Sequence, residues 1–257
     1  MAQRHGTGRV ALVTGAGRGI GRATALMLSG RGDRVMGVAR SEDELSALAR
    51  EAPIETFAGS VATQEGCERI VEETRARLGP IAVLVSNAGI GSYHERVIWE
   101  QDPEVWRDSL AVNLDAAFHL IRLCAPDMIG AGWGRIVIVS STAGQVGGSA
   151  SSAYTAAKHG VIGLMRSAAQ DLIPHGVTCN AVCPGWVKTA MAEADAETEA
   201  RATGLTADEV WEAHARSYAA GRVMHPEEIA DVIGYLTSDG ATALNGEAIT
   251  VALGGLW

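Results

Sequence analysis

Lysine is nearly missing from this chain of 257 residues, which has 19 arginines but lysine only at Lys158 and Lys188. No run of basic residues occurs, and the net charge at pH 7 is −9. Both facts argue against nucleic-acid and anionic-membrane partners, which need clustered cations. No apolar run reaches the roughly 20 residues of a membrane span, and the first residues contain no apolar core of a secretory signal.

The motifs of metal centres and serine hydrolases are missing as well. The seven histidines form no HExxH pattern, and the four cysteines have neither CxxC spacing nor neighbouring histidines, which argues against a metal site. No GxSxG nucleophile elbow occurs, which weakens a hydrolase interpretation. Cysteine use of this kind fits core packing in a reducing compartment, so we expect a cytoplasmic protein.

What is present is an alternating pattern of short apolar runs and longer helical stretches. Continuous apolar runs are typical of parallel strands that are buried on both faces. The predicted strands are 9–14, 33–39, 54–59, 81–86, 134–140, 177–183 and 247–252. The predicted helices are 20–30, 42–51, 64–78, 103–129, 152–173 and 226–237. The alternation predicts an α/β protein with a doubly wound Rossmann fold, a seven-stranded parallel sheet and helices on both faces.

Two irregularities interrupt this pattern. Pro126 lies within the long fourth helix, which we expect it to break or kink. Residues from about 190 to 222 show helical patterning without a strand, so we predict a helical lid insertion before the penultimate helix. We expect one dinucleotide-binding and catalytic domain over residues 1–257, with this insertion as its substrate loop.

A glycine-rich loop follows the first predicted strand, in the sequence TGAGRGIG from Thr14 to Gly21. The GxGxxG fingerprint does not fit, and the match is GxxxGxG with Gly15, Gly19 and Gly21. Small residues let the backbone turn sharply and approach a pyrophosphate at the N-terminus of the following helix. The loop therefore predicts a dinucleotide cofactor.

The end of the second predicted strand bears on which dinucleotide binds. NAD sites usually place an acid there to hold the ribose 2′-hydroxyl, whereas this chain has Arg40 and Ser41. Arg40, with Arg18 from the glycine loop, is suited to a 2′-phosphate. Because acidic residues follow at 42–44, NAD(H) stays open, but the pattern favours NADP(H).

Tyr154 and Lys158 have the i, i+4 spacing that places two side chains on one helix face. A free phenol has a pKa near 10, and a neighbouring ammonium lowers it. Ser141 at the end of the fifth strand and the segment Pro184–Thr189 after the sixth reach the same sheet edge, where open α/β sheets bind ligands. Asn113 is polar among apolar neighbours, either as a satisfied structural amide or as part of a polar relay.

Together these motifs resemble the classical short-chain dehydrogenase/reductase family over essentially the whole chain. The matching segments are TGAGRGIG, SNAG at 86–89, Asn113, Ser141, YTAAK at 154–158 and PGWVKT at 184–189. The resemblance implies that Tyr154 is the general acid/base, Ser141 polarises the carbonyl, Lys158 lowers the phenol pKa and holds the nicotinamide ribose, and Asn113 supports a relay water. The cofactor-binding residues that the resemblance implies, together with Arg40 and Ser41 at the end of the second strand, form one predicted set. It consists of Gly15, Arg18, Gly19, Ile20, Arg40, Ser41, Ser60, Val61, Asn87, Ala88, Gly89, Tyr154, Lys158, Pro184, Gly185, Val187 and Thr189.

The chain departs from the family pattern at two positions. Ser60 stands where an aspartate usually contacts adenine, and Ser86 replaces the first asparagine of the NNAG motif. Subgroup motifs look like carbonyl reductases and ketoreductases, which implies NADPH-dependent, reversible reduction of a ketone to a secondary alcohol. The alternatives are an NAD-dependent dehydrogenase of a hydroxy acid or secondary alcohol, such as 3-hydroxybutyrate, and a non-catalytic dinucleotide-binding regulator.

The substrate site and the assembly state are also expectations. The candidate pocket residues are Tyr93, His94, Gln145, Val146, Trp186 and Met191, with Trp211 and Tyr218 of the insertion. Their size predicts a partly apolar small-molecule carbonyl or alcohol, with packing of the lid as the equally weighted alternative. The resemblance implies a homotetramer, with a homodimer left open.

Overall fold

The computed structural model describes residues 8–92 and 95–255. Within these ranges one sheet holds seven parallel strands in the order β3-β2-β1-β4-β5-β6-β7. The strands are β1 Val10–Thr14, β2 Arg34–Ala39, β3 Glu55–Ala58, β4 Ile81–Ser86, β5 Gly134–Val139, β6 Val177–Pro184 and β7 Ala248–Val251. The predicted doubly wound α/β fold is confirmed.

Helices cover both faces of the sheet. They are α1 Gly19–Gly30, α2 Glu42–Glu51, α3 Gln64–Leu78, α4 Pro103–Leu110, α5 Ala116–Ala131, α6 Ser152–Leu172, α7 Ala190–Thr203, α8 Ala207–Ser217 and α9 Pro226–Leu236. Successive strand residues bury into opposite layers, so Leu12 packs with one apolar cluster and Val13 with the other. The winding reverses between β1 and β4, and this opens a crevice at their carboxyl ends.

The long helix predicted at 103–129 is interrupted, but not at its proline. Pro126 lies inside α5, which continues to Ala131, and the neighbouring Cys124 and Met128 are fully buried in the core. This packing holds the helix together across the missing proline N–H. The irregularity is instead a π-helical turn over Ala111–Asp115, with Asn113 at its centre.

The predicted insertion forms two helices, α7 and α8. In the described part of the chain only one α-helix, α9, follows them, so the insertion precedes the last α-helix and not the penultimate one. Trp211 and Tyr218 anchor the apolar cluster beneath these helices. None of the helices in residues 8–92 and 95–255 has the length and apolarity needed to cross a bilayer.

Candidate active site

A cavity of about 1150 Å³ lies at the carboxyl edge of the sheet. The loops that follow β1, β2, β3, β4, β5 and β6 line it, together with Tyr154 and Lys158 of α6 and one side of α7 along its length. The sequence-predicted residues that line it are Gly15, Arg18, Gly19, Ile20, Arg40, Ser41, Ser60, Val61, Asn87, Ala88, Gly89, Ser141, Tyr154, Lys158, Pro184, Gly185, Trp186, Val187, Thr189 and Met191.

The glycine loop is shaped by close backbone approach. Gly15 has a positive φ of 68°, and a Cβ there would lie 2.7 Å from Asn87 Nδ2. The Asn87 amide donates to Thr14 O at 2.9 Å, so Asn87 ties the end of β1 to the end of β4. Arg18 precedes α1 without a capping side-chain hydrogen bond, and the first turn of α1 contains no acid. The first backbone N–H groups of α1 therefore have no side-chain acceptor, and together with the helix dipole they suit a pyrophosphate.

The end of β2 carries the charge that bears on cofactor choice. Arg40 is exposed and makes no ion pair with any residue that the structure describes. Arg18 lies 3.6 Å from the Glu44 carboxylate, so its charge is shared. The Ser41 hydroxyl accepts the N–H of Glu44 at 3.3 Å and caps α2. The Ser60 hydroxyl likewise accepts the N–H of Ala62.

Ser141, Tyr154 and Lys158 converge at the other end of the cavity. The Ser141 hydroxyl lies within reach of the Tyr154 phenol and favours its ionised form. Lys158 Nζ lies 5.5 Å from the centroid of the Tyr154 ring and donates to Val139 O at 3.0 Å. Burial raises the pKa of Tyr154 to about 12 and lowers the pKa of Lys158 to about 8. The sequence predicts that Lys158 lowers the pKa of Tyr154. In the protein without cofactor, burial has the larger effect and raises that pKa instead.

Asn113 lies behind the loop that follows β4 and does not line the cavity. Its Oδ1 accepts the N–H of Ile90 at 3.2 Å, and its Nδ2 donates to Ile90 O and to Ser109 Oγ, each at 3.1 Å. A Cβ on Gly89 would lie 2.9 Å from Asn113 Oδ1. The side chain is thus a satisfied amide that fixes the loop.

The predicted substrate residues divide. Trp186 and Met191 line the cavity, whereas Tyr93 and His94 lie outside the described residues. Gln145 and Val146 do not line it, because the 3₁₀ turn Thr142–Gly144 leads the chain away from it. Gln145 Oε1 accepts instead from the Thr250 hydroxyl at 2.9 Å, on the exposed side of β7.

Trp211 and Tyr218 also lie outside the lining, where they support Trp186 from behind. The rings of Trp186 and Trp211 meet edge to face at 5.3 Å, and His214 stacks on Trp186 at 3.7 Å. The Tyr218 hydroxyl accepts the Trp186 N–H at 2.7 Å. Packing of the insertion, not substrate contact, is the role the structure gives these two residues.

Comparison with known proteins decides the family. The short chain dehydrogenase family model matches residues 9–200. The chain belongs to the short-chain dehydrogenase/reductase family. It is 37% identical over 97% of each chain to a protein of Streptomyces virginiae described as a ketoacyl reductase of the monensin polyketide synthase. It is also 34% identical to the 3-oxoacyl-[acyl-carrier-protein] reductase of Escherichia coli, over 95% of this chain and 96% of that one.

A solved structure of similar shape is a variant of the actinorhodin polyketide ketoreductase with NADPH. It superposes with a TM-score of 0.91 at 33% identity, covering 98% of both chains. This short-chain dehydrogenase/reductase is accordingly an NAD(P)-dependent oxidoreductase.

The sequence interpretation of this short-chain dehydrogenase/reductase missed three acids in the cavity wall, Glu95, Asp195 and Glu199. Glu199 Oε2 contacts His214 Nε2 at 2.9 Å, and Asp195 Oδ1 accepts the Ser92 hydroxyl at 3.4 Å. Glu95 binds the first turn of α6. The sequence gives only an indirect indication of this role for Glu95. The first turn of α6 has no acidic residue of its own, so an acceptor from elsewhere in the chain is needed.

Proposed function

We propose that this protein reduces a ketone to a secondary alcohol with NADPH, reversibly, with Tyr154 as the general acid/base. The observation that carries the proposal is the placement of two features in one cavity. Ser141, Tyr154 and Lys158 meet at one end, and the exposed Arg40 stands at the other. A non-catalytic dinucleotide-binding protein would not need Ser141, Tyr154 and Lys158 together.

The cavity fits a dinucleotide phosphate along its length. The uncapped N-terminus of α1 lines the cavity, and its free N–H groups are candidates to bind a pyrophosphate. Arg40 and Arg18 both line this cavity and are the candidates to offer a guanidinium to a 2′-phosphate. Val187 pairs with Met224, and Thr189 caps α7; both line the cavity, which supports them as candidates to bind the carboxamide. Lys158 is the candidate to hold the nicotinamide ribose.

The protein's own groups handle the oxygen of the substrate. When bound, the reduced nicotinamide supplies the hydride that forms the new C–H bond. Ser141 donates a hydrogen bond to the carbonyl oxygen, which gains negative charge as the C=O π bond breaks. Tyr154 donates its proton to that oxygen and is left as a phenolate. The Lys158 ammonium stabilises this phenolate, and the reverse steps oxidise an alcohol.

The substrate we propose is a partly apolar ketone. Trp186, Met191 and Ile90 offer apolar surface beside the reactive residues. The similar proteins named for ketoacyl and polyketide ketoreduction support a ketone with such a chain.

The test is turnover of a panel of ketones and secondary alcohols, including 3-oxo esters and 3-hydroxybutyrate, measured separately with NADPH and NADH. The proposal predicts ketone reduction with a higher kcat/KM for NADPH than for NADH. Turnover confined to 3-hydroxybutyrate and NAD would contradict it in favour of a hydroxy-acid dehydrogenase. Dinucleotide binding without any turnover would favour a non-catalytic regulator.

A further inference from the structure

The helix that carries Tyr154 and Lys158 begins without capping by its own sequence. Ser151, the N-cap residue of α6, makes no side-chain capping bond, and the first turn contains no acid. The Ser151 hydroxyl donates instead to Gly148 O at 3.1 Å. The first N–H groups of a helix have no acceptor within the helix, so they need one from elsewhere.

A residue from another part of the chain supplies that acceptor. Glu95, in the loop after β4, accepts the N–H of Ala153 at 2.8 Å through Oε2 and the N–H of Tyr154 at 2.7 Å through Oε1. Both bonds are charge-assisted, and the carboxylate sits at the positive end of the α6 dipole. Glu95 is half-buried and lines the cavity, so the bonds are partly shielded from water.

The same loop is fixed at two further points. Ile90 exchanges two hydrogen bonds with the Asn113 amide in the π-helical turn. Ser92 donates to Asp195 of α7 at 3.4 Å. The loop therefore connects the catalytic helix with the helix before it and with the insertion.

We propose that Glu95 is a positioning residue, whose carboxylate fixes the first turn of α6 and thereby holds the Tyr154 phenol against Ser141. The proposal rests on the proposed function, because it takes Tyr154 as the proton donor. A carboxylate is needed, since two oxygens accept two convergent N–H groups. A glutamine at this position has one oxygen, and its NH₂ group would face the second donor.

The geometry has an electrostatic consequence for the phenol. The groups that face Tyr154 are Ser141, Lys158, Asp195 and Glu95. The negative charges of Asp195 and Glu95 raise the pKa of Tyr154. The Ser141 hydrogen bond lowers the pKa of Tyr154 and has a larger effect than the Glu95 charge. A phenol that moves away from Ser141 when Glu95 is replaced therefore keeps its proton to a higher pH, despite the loss of the Glu95 charge. Ketone reduction needs the protonated phenol, so its rate would then fall off at a higher pH.

The experiment compares Glu95→Gln with the wild type and with Glu100→Gln, an exposed glutamate outside the cavity lining that undergoes the same charge change. Four quantities are measured: deuterium exchange of the peptide containing Ala153 and Tyr154, kcat and KM for a ketone, the Kd for NADPH, and the pH dependence of kcat. For Glu95→Gln we expect faster exchange, a kcat lowered about tenfold or more, an unchanged Kd and an alkaline limb shifted to higher pH. Glu100→Gln is expected to match the wild type.

Two results with Glu95→Gln would overturn the proposal. One is exchange, kcat and pH dependence in Glu95→Gln equal to those of Glu100→Gln. The other is a loss of kcat that is matched by an equal loss of NADPH affinity, with the pH dependence unshifted, which marks a purely structural residue. If the wild type itself reduces no ketone, the proposed function fails, while the exchange measurement still decides whether Glu95 holds α6. Glu95→Ala, which removes both acceptors, is expected to exchange faster still; slower exchange there would also count against the proposal.

Discussion

At the scale of single residues, the two lysines have different environments. Lys158 is 5% exposed, with its ammonium on Val139 O, whereas Lys188 is exposed and its ammonium lies 5.6 Å from the Trp211 ring centroid. Burying an ammonium costs free energy. We infer that Lys158 is kept at that cost because the proposed reaction needs a compact cation beside the phenol.

This cost makes the stability depend on pH at Lys158. Burial lowers its pKa from 10.5 to about 8, so between these values the unfolded chain holds a proton that the folded chain does not. The free energy of unfolding therefore rises with pH across this window, and below pH 8 the contribution is at its least favourable. A shift of this size corresponds to about 3 kcal/mol.

We predict that Lys158→Met, compared with the wild type, shows this difference directly. Denaturant unfolding of both proteins without cofactor at pH 7 and pH 10.5 measures it. The wild type is expected to gain up to about 3 kcal/mol on the variant between the two pH values. Parallel stabilities at both values would contradict the buried, pKa-shifted lysine.

Arg40 carries the predicted preference for NADPH. In Arg40→Asp the guanidinium is lost and an acid can accept from a ribose 2′-hydroxyl. We expect kcat/KM for NADPH to fall about 30-fold, corresponding to a charged hydrogen bond of about 2 kcal/mol, and kcat/KM for NADH to rise. Arg34→Asp, at the opposite end of β2, is the matched control. An unaltered NADPH preference in Arg40→Asp would refute the assignment.

At the scale of elements, the joints between strands and helices hold the site together. Asn87 ties the ends of β1 and β4, and Glu95 ties the loop after β4 to α6. Trp186, after β6, is held by Tyr218 at the end of α8. Each of these contacts joins segments that are far apart in the chain, so the cavity depends on the packing of the elements.

The contact between Tyr218 and Trp186 gives a prediction for the insertion. Tyr218→Phe leaves the part-buried Trp186 N–H without its acceptor, at a cost of about 1–3 kcal/mol. Since Trp186 lines the cavity, we expect the KM for the ketone to rise severalfold while the Kd for NADPH stays unchanged. Tyr235→Phe, which alters an exposed phenol, serves as the control. Equal KM values for the two variants would show that the insertion does not shape the substrate site.

The sequence predicts the regular elements well, because their signal is local. Each strand lies within one residue of its predicted bounds at either end, since apolar runs buried on both faces are continuous. The π-helical turn was not predictable, because residues 103–129 read as one helix and the irregularity accompanies the long-range bonds between Asn113 and Ile90. Glu95 was missed for a related reason: its partners lie 58 and 59 residues away.

At the scale of the whole molecule, the resemblance predicts one catalytic domain that assembles as a tetramer through α4, α5, α6 and the C-terminal segment. Phe118 and Ile129 on α5 are 47% and 39% exposed, which is consistent with an apolar surface to be covered. We expect sedimentation equilibrium to give four times the chain mass of 26.8 kDa. A monomer at micromolar concentration would contradict this expectation. A dimer would mean that the chain forms the homodimer left open by the sequence and not the tetramer.

The substitution Tyr154→Phe tests the proposed proton donor most directly, because it removes one hydroxyl and leaves the ring. Ketone reduction with NADPH is measured beside NADPH binding, and wild-type turnover serves as the reference. We predict that kcat falls by about two to four orders of magnitude, the range of general acid catalysis, while the Kd for NADPH stays within about twofold. Turnover that survives with cofactor binding unchanged would show that Tyr154 is not the proton donor.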